Sequence, residues 1–291
     1  MNVEIIGRGR LARVVVLGIL VVGSTLPAMC VAAGCFKVMD ATLYADKPDT
    51  RALGVQTIKL VEPPRWWHGV PNNEKSLKEA TIKETGPLVG LRSSVLIDLE
   101  LPLAGNSPDI AANRQRYRDL IQWMRDGGFS APLSFYGSLP VRDYWRALTG
   151  PGSPGYKAWQ AENDALKPIV PLVTALYPSL YTFYPDPQAW VKYAQANITE
   201  ARRIAGSRPV YPFIWPQYHN SNERLGYQYI DESFWSLQLR TLYANADGLV
   251  LWGGWDFADN RQARWDEDAA WWRATKQFLA KTPNLCPVSA D

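Results

Sequence analysis

The chain has little cysteine and little histidine, three and two residues respectively in 291. Without a C-x-x-C pair or a histidine cluster, a dedicated zinc or haem site is disfavoured. The sequence also lacks a P-loop, a G-x-G-x-x-G after a strand and a G-x-S-x-G around a nucleophilic serine. Its 31 basic and 28 acidic residues nearly cancel, so it carries no basic footprint for nucleic acid. We therefore expect no bound cofactor and no nucleic-acid partner.

The N-terminal segment has the organisation of a secretory signal peptide. Arginines come first, an apolar run covers residues 14–22, and small residues follow as far as Ala33. The run is too short for a stable membrane span. We expect residues 1–33 to be removed and the mature protein to be secreted or periplasmic. Lipid attachment at Cys35 is a weaker alternative, because the usual leucine three residues before such a cysteine is missing.

Removal of 33 residues from 291 leaves 258, a length that suits one large domain such as an α/β barrel. We assign residues 34–291 to that single domain. The two cysteines that remain, Cys35 and Cys286, lie near opposite ends of it. In an exported protein a disulfide between them is expected, with two free thiols as the alternative.

Short apolar segments alternate with amphipathic ones along this domain, which is typical of an α/β fold with a largely parallel sheet. The predicted strands are Val55–Val61, Val95–Leu99, Pro132–Tyr136, Ser179–Phe183, Val210–Ile214 and Gly248–Trp252. The predicted helices are Asn113–Asp126, Gln188–Ala205, a segment capped by Asp231 or Ser233 that runs through Tyr243, and Glu267–Lys281. No internal repeat or long linker separates them, so one domain is the better interpretation.

One strand ends in two carboxylates. Asp98 and Glu100 follow a continuous apolar run, 95–97, and stand two residues apart. Side chains alternate across a strand, so both acids point to the same side of the sheet and Leu99 points away. Mutual repulsion tends to raise one of the two pKa values, which suits proton transfer. A helix N-cap or a surface pair is the alternative.

The chain is rich in tryptophan and tyrosine, with thirteen and fourteen residues. Aromatic rings at strand ends can form flat walls against which sugar rings stack. Core packing is the alternative and fits Trp190 and Trp271, which lie on predicted helices. The candidates for sugar binding, each of which follows an apolar strand, are Tyr136, Tyr181, Trp215, Tyr218, Trp252 and Trp255.

Several segments together resemble the hyaluronidase family of glycoside hydrolases, the bee-venom and mammalian type. The most specific is the A-L-Y-P-S-L-Y at 175–181, and they follow the family's order from about residue 90 to 256. The others are V-L-I-D-L-E at 95–100, F-Y-G-S-L-P at 135–140, P-V-Y-P-F-I-W-P-Q-Y at 209–218 and G-L-V-L-W-G at 248–253.

The resemblance implies a distorted (β/α) TIM-like barrel and an endo-acting, retaining hydrolase that uses its substrate as nucleophile. In that chemistry the 2-acetamido oxygen of the sugar attacks its own anomeric carbon. By position, Glu100 would be the general acid and base, and Asp98 would hold the acetamido group. Tyr181 and Tyr218 would hydrogen-bond around the acetamide, and Trp252 would lie under the sugar.

The segments also depart from the family pattern. Leu101-Pro-Leu stands where the family has W-R-P, and two mature cysteines cannot form its disulfide framework. We therefore expect a polysaccharide that carries N-acetylhexosamine, without naming hyaluronan.

Two other functions stay open. The first is a two-carboxylate glycosidase, with Glu100 as acid and Glu223, Glu232 or Asp256 as nucleophile or base. Asp256 is also a candidate substrate contact, although a loop cap is the better interpretation of it. The second is a non-catalytic carbohydrate-binding envelope protein on the same fold.

Overall fold

Short parallel strands form the centre of the fold. The computed structural model describes residues 34–288, so the predicted signal peptide lies outside the described residues. The strands are β1 (Lys37–Asp40), β2 (Val55–Thr57), β3 (Lys59–Val61), β4 (Val95–Ile97), β5 (Leu133–Phe135), β6 (Phe213–Ile214), β7 (Gly248–Leu251), β8 (Trp255–Asp256) and β9 (Arg261–Gln262).

The strands close into a ring. β1 pairs in parallel with both β2 and β7, β7 pairs with β6, and β4 lies between β3 and β5. β2 and β3 are successive parts of one strand, since only Ile58 separates them. Residues 176–182 fill the place between β5 and β6 through isolated parallel bridges, such as Tyr136 with Tyr177 and Ser179 with Phe213. The result is a barrel, as predicted, in which every strand of the ring runs the same way.

Most of the predicted strands are confirmed within a residue or two at their ends. The segment predicted at Ser179–Phe183 takes its place in the ring through single bridges, without a continuous ladder. The sequence pattern does not predict strand β1, because its apolar run has only two residues, Val38 and Met39, between the charged Lys37 and Asp40. Its backbone pairing with two neighbours makes it a strand.

Helices surround the ring. They are α1 (Pro63–Trp66), α2 (Glu74–Thr85), α3 (Ile110–Asp126), α4 (Tyr144–Leu148), α5 (Pro154–Asp164), α6 (Pro187–Ala205), α7 (Glu232–Asn245) and α8 (Ala270–Lys281). The carboxylate of Asp231 accepts a hydrogen bond from Phe234 N and caps α7, as predicted. Helix α8 begins three residues later than predicted. Ala269, the N-cap, has an extended backbone with ψ of 134°, so the helix starts at the next residue and Glu267 lies in the preceding loop. The Glu267 side chain accepts hydrogen bonds there from Trp265 and Trp272.

The core has two layers because the strands are covered on both faces. Val95, Leu96 and Ile97 are all fully buried, which explains why β4 is a continuous apolar run. Leu96 packs inside the barrel with residues such as Phe213 and Val250. Val95 and Ile97 face the helices. Burying one such side chain contributes roughly 1.5–3 kcal/mol to folding.

The two ends of the domain are joined. Cys35 and Cys286 form a disulfide, as predicted, and backbone hydrogen bonds from Phe36 N to Asn284 O and from Cys286 N to Phe36 O hold the same two segments together. A lipid on the Cys35 sulfur and this disulfide exclude one another, because the sulfur can carry only one of them. No helix between residues 34 and 288 combines the length and the apolar character needed to cross a membrane.

Candidate active site

The carboxyl end of β4 opens into a cavity. Leu99 is fully buried, its carbonyl accepts a hydrogen bond from the Tyr117 hydroxyl, and Asp98 N donates to Val61 O at 2.8 Å. These contacts hold the strand extended, so Asp98 and Glu100 both face the cavity, as the alternation predicts. The cavity is about 410 Å³, within the roughly 300–1,000 Å³ of small-ligand sites. The residues that line it are Leu60, Asp98, Glu100, Tyr136, Arg142, Tyr181, Phe213, Trp215, His219, Asn220, Tyr227, Trp252 and Phe257.

The two acids have different surroundings. Burial, and then the neighbouring Glu100 and Glu62, raise the pKa of Asp98 to about 7, while Arg65 acts in the opposite direction. Glu100 lies further out, with 58% of its side chain exposed and an Arg142 guanidinium nitrogen 3.8 Å from its carboxylate. The sequence predicted one raised pKa and, from the family pattern, Glu100 as the protonated acid. The structure assigns the raised pKa to Asp98, because Asp98 is the deeper of the two.

Aromatic rings form one wall of the cavity. Trp252 is stacked on Tyr181, with ring centroids 5.6 Å apart and planes at 29°. Trp215 meets Trp252 edge-on at 4.9 Å, and its indole N–H donates to the Gln217 side chain at 2.8 Å. Such contacts fix the rings in place. The wall therefore offers flat apolar faces of defined orientation beside the two carboxylates.

The tyrosines of this wall are neutral hydrogen-bonding groups. The Tyr136 hydroxyl lies 3.1 Å from Ser179 Oγ, and burial raises its pKa to about 12. Burial and the adjacent Tyr136 raise the pKa of Tyr181 well above its ordinary value. Both phenols therefore keep their protons at neutral pH and can donate to an acceptor on a ligand.

The cavity includes polar residues that were not among the sequence candidates. Arg142 comes from the loop after β5, and His219 directly follows the predicted Tyr218. Burial, and then Arg142, lower the pKa of His219 to about 4. The Nδ1 atom of His219 accepts from Ser221 N at 3.1 Å, which leaves the proton of the neutral ring on Nε2. Its position directly after an aromatic strand end is a signal that could have identified His219. The sequence contains no comparable signal for Arg142.

Tyr227 and Phe257 at the rim were also missed. Their rings stack with centroids 4.7 Å apart, and they are 38% and 43% exposed. Tyr227 lies in the loop after β6 and Phe257 in the turn between β8 and β9, so no spacing in the sequence brings them together.

Three sequence candidates do not line the cavity. Tyr218 is buried in the cluster between strands and helices. Gly253 and Gly254 turn the chain away after β7, with φ of 141° and 84°. A Cβ at Gly254 would clash with the backbone nitrogen of Tyr44. Trp255 therefore leaves the line of the strand and pairs in the β8–β9 hairpin. The Asp256 carboxylate accepts from the backbone N–H groups of residues 258 and 259, as a loop cap.

The other acids proposed for a two-carboxylate site also lie elsewhere. Glu223 is exposed, and Glu232 pairs with Arg273 at 3.3 Å. Within residues 34–288, the carboxylates that line the cavity are those of Asp98 and Glu100. No group of three histidine, cysteine, aspartate or glutamate side chains in that range is arranged to hold a metal ion.

Comparison with known proteins identifies the fold. No protein-family model matches the chain, and no curated protein matches it. A crystal structure of bee venom hyaluronidase is similar with a TM-score of 0.55 at 14% identity, covering 75% of this chain and 91% of that one. Bee venom hyaluronidase in complex with a hyaluronic acid tetramer has a TM-score of 0.52 at 13% identity, over 86% of this chain and 97% of that one.

A Cellulomonas fimi endo-beta-1,4-mannanase double mutant is more distant, with a TM-score of 0.42 at 12% identity over 85% of this chain and 71% of that one. At these identities the likeness shows the fold alone. The chain has the same barrel fold as the two hyaluronidase structures.

Proposed function

We propose that this chain is an exported, endo-acting glycoside hydrolase that cleaves a polysaccharide carrying N-acetylhexosamine. The observation that carries the proposal is the pair Asp98 and Glu100 at the carboxyl end of a barrel strand. The two acids face a cavity with aromatic walls, the arrangement expected of a sugar-binding site. Two structures of a hyaluronidase share the barrel, which adds support from the fold.

The placement of the acids favours assistance by the substrate over a two-carboxylate scheme. In the latter the two carboxyls flank the scissile bond, about 5–5.5 Å apart for retention and further for inversion. Asp98 and Glu100 stand on the same side of one strand, and Glu223, Glu232 and Asp256 do not line the cavity. The nucleophile that the protein does not place is then supplied by the 2-acetamido oxygen of the sugar.

Each acid has a separate part in this reaction. In the free protein the proton of this pair favours the more buried Asp98. When the acetamido N–H of the substrate donates to Asp98 and holds it as a carboxylate, the proton passes to Glu100. Glu100 gives this proton to the glycosidic oxygen as the glycosidic bond breaks and the acetamido oxygen bonds to the anomeric carbon. Asp98 accepts a hydrogen bond from the acetamido N–H and stabilises the positive charge that develops on the ring. Glu100, now a carboxylate, takes a proton from the water that reopens the ring. Tyr181 donates to the acetamide and Trp252 stacks under the sugar.

Export is supported by two features. The N-terminal segment has the pattern of a signal peptide. The disulfide between Cys35 and Cys286 suits an oxidising compartment outside the cytoplasm.

The test is release of new reducing ends from soluble chitin derivatives, hyaluronan, chondroitin and a plain glucan. The wild-type protein is compared with Glu100→Gln, and Glu223→Gln serves as a matched control because that glutamate is exposed and lies outside the cavity. We expect activity on acetamido sugars only, lost in Glu100→Gln and kept in Glu223→Gln. Hydrolysis of the plain glucan would refute the acetamido mechanism, and full activity in Glu100→Gln would refute the assigned acid.

A further inference from the structure

Two exposed aromatic side chains lie outside the cavity. Trp145 on α4 is 63% exposed, and Tyr184, which follows the segment 176–182, is 38% exposed. Their ring centroids are 5.2 Å apart, and Tyr144 contacts both, at 5.2 and 5.1 Å. We call Trp145 and Tyr184, with Tyr144 between them and the core, the outer platform. Because it comes after the carboxyl ends of strands, it lies on the same end of the barrel as the acids.

The outer platform is continuous with the cavity through ring contacts. Tyr144 meets Phe183 at 5.8 Å, and Phe183 meets His219 at 4.9 Å. His219 lines the cavity and lies 6.2 Å from Tyr181 in its wall. An unbroken series of aromatic rings therefore runs from the site of the two acids to the exposed face of Trp145.

The outer platform is held in place by its surroundings. Asp143 caps α4 by accepting from Arg146 N at 2.7 Å. The Arg146 guanidinium pairs with both Asp143 and Glu162, at 2.6 and 2.7 Å. Beneath the helix, Tyr144 packs against the buried Tyr193 at 5.0 Å. The exposed rings thus project from a fixed backbone, which reduces the entropy lost when a ligand orders them.

The chemistry of the outer platform favours a sugar as its occupant. Neither the Trp145 indole N–H nor the Tyr184 hydroxyl has a hydrogen-bond partner within residues 34–288, so both are free to pair with hydroxyl groups. The nearby charges of Asp143, Arg146 and Glu162 are already paired with one another. Flat apolar faces with unpaired polar edges match the alternating C–H and hydroxyl surfaces of a pyranose ring.

We propose that Trp145 and Tyr184 form a secondary carbohydrate subsite, which binds further units of the polysaccharide whose cleaved unit occupies the cavity. The inference rests on the proposed function for the identity of the polymer, and it explains how the protein would hold a long chain across its surface. The occupant is an uncharged pyranose face. Asp143, Arg146 and Glu162 pair with one another, and the further charge that acts on Tyr144, the Asp186 carboxylate, disfavours an anionic group.

The experiment is electrophoresis in native gels that contain glycol chitin, hyaluronan, chondroitin or hydroxyethyl cellulose. All proteins carry Glu100→Gln, so that the polymer is not cut during the run. We expect at least one polymer to retard this protein. The double substitution Trp145→Ala with Tyr184→Ala should raise the Kd for that polymer about five- to tenfold, because two aromatic contacts are lost. Trp145→Phe keeps a ring and should retain most of the retardation.

The control is Leu91→Ala. Leu91 is 37% exposed and precedes β4, at the opposite end of the barrel. Loss of its side chain should therefore leave the Kd for the polymer unchanged. Equal Kd values with and without the outer platform, or no retardation by any polymer, would overturn the proposed subsite. Retardation that depends on Trp145, in a protein whose wild-type form releases no reducing ends, would instead support the subsite and refute the hydrolase.

Discussion

The protein contains two sets of packed tryptophans that look alike in ring geometry and differ in position. At the strand ends, Trp215 meets Trp252 edge-on, with centroids 4.9 Å apart and planes at 81°. In the helix layer, Trp235 meets Trp271 in the same manner at 6.1 Å and 88°. Trp235 is fully buried, whereas Trp252 lines the cavity. Ring contacts alone therefore do not distinguish a core residue from a binding-site residue. The distinction is whether one side of the ring is exposed to the cavity.

The two regions also treat carboxylates differently. In the helix layer the fully buried carboxylate of Glu200 is paired with Arg203 at 2.7 Å. At the strand ends Asp98 has no such partner, and burial raises its pKa to about 7. An unpaired, partly buried acid destabilises the fold when ionised and is retained where chemistry needs it. The comparison predicts loss of activity from changes at the strand ends and loss of stability from changes in the helix layer.

The largest effect is expected for Glu100→Gln. General acid catalysis contributes roughly 10²–10⁴-fold, so kcat on the susceptible polymer should fall by about three orders of magnitude. Because the Glu100 side chain is 58% exposed, thermal unfolding monitored by circular dichroism should not change. A large fall in Tm together with the loss of activity would show that this acid belongs to the structural region instead.

The next effect is expected for Trp235→Ala in the helix layer. The substitution empties a fully buried site and removes the indole N–H bond to Thr275 at 2.9 Å, so the free energy of unfolding should fall by about 3–5 kcal/mol. Chemical denaturation measures it. Trp252→Ala is the matched strand-end variant, with a smaller loss of stability and a marked rise in KM. A larger loss of stability in Trp252→Ala than in Trp235→Ala would contradict the assignment of Trp252 to the binding site and Trp235 to the core.

A smaller effect is expected for the pH dependence of stability. The unfolded pKa of Asp98 is near 3.8 and the folded pKa about 7, so the folded state binds more protons between these values. Stability attributable to this group is therefore greatest below pH 4, falls as pH rises from 4 to 7, and is constant above 7. Asp98→Asn removes the ionisation and should gain about 1–2 kcal/mol relative to wild type at pH 8, after allowance for solvent screening.

Thermal melts of the wild type and Asp98→Asn at pH 4 and pH 8 give the measurement. The isosteric amide keeps the packing, so any difference that appears only at pH 8 belongs to the charge. If the difference in Tm between the two proteins were the same at pH 4 and pH 8, the raised pKa of Asp98 would be contradicted.

The smallest effect separates two tyrosines to which the family resemblance gave one role. Tyr181 lines the cavity and Tyr218 lies in the cluster between strands and helices. One hydrogen bond contributes about 0.5–1.5 kcal/mol of net free energy. Loss of the Tyr181 hydroxyl in Tyr181→Phe should therefore lower kcat/KM by several fold. Tyr218→Phe should leave it within about twofold. Equal losses in steady-state kinetics on the same polymer would place Tyr218 at the acetamide after all.

Prediction from the sequence worked best where a local rule governs the outcome. The period of two along a strand puts Asp98 and Glu100 on one side of the sheet, and the buried Leu99 between them shows that the rule held. Prediction from the sequence was less accurate for residues that come after the end of a strand. Tyr218 still pairs in parallel with Thr182, but its side chain lies on the side of the helices. Trp255 lies in the β8–β9 hairpin, beyond the turn that follows β7.

The residues that the sequence did not identify come from loops. Arg142, Tyr227 and Phe257 carry no periodic signal. Their place at the cavity depends on how the loops after β5 and β6 and the β8–β9 hairpin fold over the barrel. The exposure of Trp145 is likewise invisible in the sequence. Its neighbour Tyr144 has the same aromatic character and points towards the core.

The sequence by itself determined the α/β class, the direction of the two acids and the pairing of Cys35 with Cys286, because these follow from hydrophobic period, strand alternation and cysteine count. The closed barrel was implied by the family resemblance and agrees with the length of the domain. Only the tertiary structure decided which acid has the raised pKa and which aromatic rings line the cavity. Both depend on burial, and burial is set by every element packed around a residue. The depth of Asp98 beneath Glu100 exists only once the barrel has closed.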